Sequence, residues 1–122
     1  MIKVWDYSKE YELLRDDILE AVDDVFTNGP LIFGPRLAEF EDKFSKYHEC
    51  KYGIGVGNCT DAITIALKAF DIGAGDEVLT TSNTAVPTVT AIVNTGASVK
   101  FVDINKYSLI DVSKISNFKN DR

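Results

Sequence analysis

Val56-Gly57-Asn58-Cys59-Thr60-Asp61-Ala62-Ile63 is the stretch on which the fold turns. Its small residues close a β-like segment and open directly into a helix-like one. A strand-to-helix junction of this kind points backbone N–H groups at open space, where an anion can sit. A plain helix start, with Thr60 or Asn58 as cap, fits the same residues, so both readings stand at this point.

Working outward, apolar residues at Tyr11, Leu14, Ile18, Val22 and Val25 recur at helical spacing and predict a helix over 8–27. Asn28-Gly29-Pro30 ends it. A short connector over 31–34 follows, and Pro35 suits the first turn of a second helix carrying Leu37, Phe40, Phe44 and Tyr47. Tyr52 to Val56 reads as a buried strand and residues 60–70 as a helix with Ile63, Leu67 and Phe70 on one face. Gly73 and Gly75 make a turn before a strand over 77–80. Thr84 is placed to cap a helix over 85–95, which Gly96 stops. Val99 to Asp103 is a third strand, and residues 111–118 begin another helix.

Strands alternating with helices predict an α/β fold with a largely parallel sheet. Ligands of such sheets gather where strands hand over to helices. Those junctions are residues 57–61 and 81–85.

Several chemistries fail on these residues. Gly53, Gly55 and Gly57 give G-x-G-x-G, but the third glycine of a dinucleotide fingerprint is missing in either register: position 58 is Asn and position 60 is Thr. No lysine follows as in a P-loop. A small phosphate cup fits better, with the amides of Cys59, Thr60 and Asp61 as donors and the Thr60 hydroxyl beside them. The Asp61 carboxylate suits that cup only if it supports the helix start while its N–H faces the anion. At the second junction Asn83 or Ser82 is placed against a ligand, or Thr84 simply caps.

The rest of the composition narrows the class. The net charge is −6, and no basic cluster exists to meet nucleic acid. Two cysteines, Cys50 and Cys59, with one histidine cannot make a zinc site, so no metal is expected. Free thiols fit a reducing, cytoplasmic setting. No run is long or apolar enough to span a membrane, and the first residues lack a signal core. His48 lies in a polar run, and Asp16, Asp17, Glu20, Asp23 and Asp24 read as a solvated helix face.

In order, Gly34-Pro35 with Leu37, Phe40, Glu41, Phe44 and Tyr47, then Val56 to Ala62, Gly73-Ala74-Gly75-Asp76-Glu77-Val78, Ser82-Asn83-Thr84, Gly96-Ala97 and Phe101-Val102-Asp103 form a series. That series resembles the DegT/DnrJ/EryC1/StrS family of pyridoxal-phosphate-dependent sugar aminotransferases, from about residue 6 onward. The resemblance implies the large domain of aminotransferase fold type I, a mostly parallel sheet flanked by helices, of which this chain holds the N-terminal part. Residues 1–34 are then an N-terminal helix and connector, and 35–122 the first part of the cofactor-binding domain.

The resemblance also implies the activity: transfer of an amino group, usually from glutamate as amino donor, to a nucleotide-linked keto sugar, in a homodimer using pyridoxal 5'-phosphate (PLP). Thr60 and Asp61 would contact the cofactor phosphate, with Cys59 adjoining. Ala85 falls at a cofactor-binding position where many members place a ring that stacks on the pyridine, so the resemblance implies either a different ring contact, Asn83, or weakened cofactor binding. The family's Schiff-base lysine and its pyridine-pairing acid correspond to positions beyond Arg122, so no catalytic residue is assigned here, Lys68 and Lys100 included. A sugar dehydratase of the same family, with histidine in place of that lysine, and a non-catalytic remnant are the alternatives. Fold type I also implies that the strands over 52–56 and 77–80 are separated by strands absent from this chain, that their apolar faces and backbone groups lack partners, and that the chain alone is unstable.

Overall fold

The computed structural model describes residues 4–118. They form two compact units, Met1–Gly55 and Val56–Arg122.

The first unit holds α1, Tyr7–Asn28, and α2, Pro35–Tyr47. The apolar spacing of α1 produces the expected helix, yet none of its residues is buried. Pro35 opens α2 from a Gly34 cap, since proline's missing N–H costs nothing in the first turn. Arg36 ties the two helices together, its Nε and Nη2 donating to Asp24 Oδ2 at 2.9 and 2.8 Å. Hydrogen bonds from Asn28 and Arg36 hold the Asp24 carboxyl below the usual carboxylate range. Asp16, Asp17, Glu20 and Asp23 are exposed, as a solvated face requires.

The segment 52–56 is not a strand, and Ile54 is 79% exposed. Its glycines have another cause. A Cβ at Gly53 would lie 2.7 Å from the Glu41 carbonyl oxygen, and one at Gly55 would lie 2.5 Å from Leu37 Cδ1. The Gly55 N–H donates to Glu41 Oε1 at 2.7 Å. The segment therefore runs against α2, and its alternation of small and apolar residues serves that close approach, not a ladder.

The second unit contains α3 (Cys59–Ala69), β1 (Glu77–Thr81), α4 (Val86–Thr95) and β2 (Ser98–Val102). β1 and β2 pair in parallel, Glu77 opposite Ser98 through Thr81 opposite Val102. Parallel neighbours need a crossover, and α4 is that crossover. Before β1, the Gly73 N–H donates to Asp76 Oδ2 at 2.9 Å and Gly75 takes φ +97°. Gly96 ends α4 at φ +90°, a conformation that only glycine adopts without strain. Ala91, Ile92, Ala97 and Val102 are the buried apolar residues among those described. The last element, Val112–Asn117, is a short 3-10 helix within the span 111–118 where the start of another helix was expected. Asp111 caps it through the Ser113 N–H at 3.1 Å. Only i→i+3 bonds bracket it, such as Lys114 N–H to the Asp111 carbonyl at 3.0 Å.

Candidate functional site

The start of α3 is built around Asn58. Its backbone is extended, at φ −164° and ψ 168°, and its side chain is the helix cap. Asn58 Oδ1 accepts from the Asp61 N–H at 2.9 Å, and Nδ2 donates to Asp61 Oδ2 at 2.8 Å. The Asn58 carbonyl accepts from the Ala62 N–H at 3.1 Å. A helix leaves its first amides without internal partners. Here the third and fourth are thus engaged, and those of Cys59 and Thr60 find no acceptor among the described residues. The Thr60 hydroxyl is also without a partner among them, on a half-buried residue. Cys59 and Asp61 are exposed.

Two of the readings made from sequence are thereby refined. Asn58, not Thr60, is the cap. The Asp61 N–H, counted there among the phosphate donors, is taken by Asn58. The signal was present in the sequence as an N-cap residue followed three positions later by an acid, the spacing of a capping box.

The residues that remain fit a phosphate. Two adjacent N–H groups and a hydroxyl lie in the first turn of one helix, at the positive end of its dipole. A Cβ built on Gly57 would meet nothing closer than Asp61 Oδ2 at 4.0 Å, so the space over this turn is open.

The second junction differs. Ser82, Asn83, Thr84 and Ala85 are all exposed. The cap of α4 is Ala85, which has no side-chain acceptor. Thr84, expected as the cap, sits one residue too early, and its hydroxyl is bonded to the Thr88 hydroxyl at 3.0 Å. The helix begins later because Pro87 falls in its first turn, where proline is tolerated. The Thr64 hydroxyl donates to the Ala91 carbonyl at 3.2 Å, tying α3 to α4 inside one unit. No hydrogen bond joins residues 57–61 to 82–85 among the described residues. His48 ends α2, its ring 4.4 Å from that of Phe44, and no acid–base partner accompanies it among the described residues.

Comparison with known proteins decides the family. The profile of the DegT/DnrJ/EryC1/StrS aminotransferase family matches residues 12–121. The chain belongs to that family.

It is 48% identical over 101 residues to the dTDP-3-amino-3,4,6-trideoxy-alpha-D-glucose transaminase of Micromonospora megalomicea subsp. nigra, covering 83% of this chain and 27% of that protein. Among solved structures it is similar to S. venezuelae DesV in complex with ketimine intermediate, at a TM-score of 0.90 and 31% identity, covering 96% of this chain and 32% of that one. It is also similar to ntda from Bacillus subtilis with bound cofactor PMP, at a TM-score of 0.81 and 33% identity, covering 88% and 25%. The chain thus spans between a quarter and a third of the length of these family members. The architecture agrees with theirs: α/β, with a small parallel sheet. No described helix is long and apolar enough to cross a membrane.

Proposed function

We propose that this chain is part of a PLP-dependent aminotransferase that moves an amino group, from glutamate, to a keto carbon of a nucleotide-linked sugar. The observation that carries the reading is the family match over residues 12–121, joined to the unengaged donors at the start of α3. The named transaminase activity of the Micromonospora relative supports the substrate class, and the PMP bound to the Bacillus subtilis protein supports the cofactor.

The Cys59 and Thr60 amides and the Thr60 hydroxyl hold the cofactor phosphate, and Asp61 closes the turn behind them. Asn83, in the exposed turn after β1, reaches the pyridine ring, because the methyl of Ala85 is too small to stack on it. When bound, PLP supplies the electron sink that makes amino transfer possible. The Schiff-base lysine is assigned to no residue of this chain. A homodimer of the complete enzyme follows the family pattern, with residues 35–122 opening its cofactor-binding domain. Cys50 and Cys59, both free and exposed, suit a reducing cytoplasm.

The test is an amino-transfer assay on the protein that bears this segment, supplied with PLP, glutamate and a dTDP-linked 3-keto sugar. Formation of 2-oxoglutarate and an amino sugar in equal amounts is expected. Absence of transfer to any nucleotide-linked keto sugar tried would sink the reading.

A further inference from the structure

Asp61 poses an electrostatic problem for an anion at the start of α3. Its carboxylate belongs to the same first turn as the Cys59 and Thr60 amides, and a like charge at this range disfavours a bound phosphate. Left loose, it is also a competing acceptor for those amides, since acidic side chains in a first turn are drawn to its N–H groups. Asp61 is exposed, so packing does not restrain it. The contact that does restrain it is with Asn58, which grips both the Asp61 N–H, at 2.9 Å, and Asp61 Oδ2, at 2.8 Å.

We infer that Asn58 is a positioning residue for the cofactor phosphate, acting through Asp61. It holds the carboxylate against its own amide and so reserves the Cys59 and Thr60 N–H groups and the Thr60 hydroxyl for the ligand. An asparagine suits this task because its amide offers an acceptor and a donor together. An aspartate at position 58 would keep the cap but set two carboxylates side by side. The inference rests on the proposed PLP site.

A two-residue cycle, read as PLP affinity of the holoprotein by fluorescence titration, separates this role from simple capping. Asn58→Ala is expected to weaken PLP binding about tenfold, and Asn58→Asp by more. Asp61→Ala completes the cycle, and its loss of PLP affinity is expected to be smaller than that of Asn58→Ala. The double variant Asn58→Ala/Asp61→Ala recovers to within about threefold of wild type, because the competing carboxylate is gone. Its thermal midpoint without PLP stays as low as that of Asn58→Ala, which shows that recovery does not come from a restored cap. A double variant as weak as Asn58→Ala would overturn the inference and leave the PLP reading intact. A wild-type protein that fails to bind PLP would overturn both.

Discussion

The two helices that follow the strand-like segments of the second unit begin in opposite ways. α3 starts with a side-chain cap, two unengaged amides and a hydroxyl. α4 starts with an alanine, and its second helical residue is a proline that has no N–H to offer. Their interiors are reversed too. α3 buries no residue, whereas α4 carries Ala91 and Ile92, the most enclosed side chains described. α4 is held by its buried middle, while α3 adds a capped end to the bond from Thr64 to α4. A helix held by its middle keeps its start free of structural duty, and α4 spends that freedom on a proline. The start of α3 instead carries a polar cap, and two amides beside it are left without acceptors among the described residues. This difference favours the proposed anion site at residues 57–61 over one at 81–85.

The comparison breaks most easily at Ile92, which is 2% exposed. Replacing it with alanine deletes buried methyl groups and leaves a cavity, at a cost of about 2–5 kcal/mol. Urea denaturation of the protein should show that loss, while PLP affinity measured well below the transition changes little. If Ile92→Ala costs no more than a cap substitution, α4 is not held by its middle.

Thr60→Val is the next largest effect and acts on the other quantity. It removes the hydroxyl but keeps both amides and the shape of the side chain, so PLP affinity should fall by about 1–3 kcal/mol with stability nearly unchanged. The matching substitution at the second junction, Thr84→Val, should leave PLP affinity alone, because that hydroxyl is engaged with Thr88. Equal losses at both positions would erase the distinction between the two starts.

Much of this was legible in the sequence, for physical reasons that differ by element. α1, α2, α3 and α4 each show a 3.6-residue apolar period or a flanking glycine or proline, and these are local signals. β1 and β2 are short apolar runs bounded by turns, and their parallel pairing follows from the crossover between them. The segment 52–56 misled because strand character is not local. Tyr52, Ile54 and Val56 have the right side chains, but a strand needs a partner, and the glycines between them answer to Glu41 and Leu37 on α2. The 3-10 turn at Val112–Asn117 differs from an α-helix by the reach of single hydrogen bonds, which composition does not encode. At the candidate site, the sequence reading named Cys59, Thr60 and Asp61 as donors, whereas the Asp61 amide is bonded to Asn58. The donor count depends on which way one asparagine side chain points.

The smallest effect tests the comparison most directly, because it converts one start toward the other. Ala85 is extended at φ −70° and ψ 144°, the backbone of a proper cap, and lacks only an acceptor. Ala85→Ser supplies a second acceptor for the Thr88 N–H, which already bonds the Ala85 carbonyl at 3.0 Å, and should add at most about 0.5 kcal/mol of stability, read as a higher urea midpoint with an unchanged slope. The gain must come without any gain in phosphate affinity, since Pro87 still removes one of the two amides that an anion would need. Asn58→Ala is the mirror experiment, with a stability loss of about 1 kcal/mol. If Ala85→Ser tightened the binding of inorganic phosphate as well, capping and anion binding would not be separable at these junctions. The α3 start would then owe its character to its neighbours in the fold, not to the residues from Gly57 to Asp61.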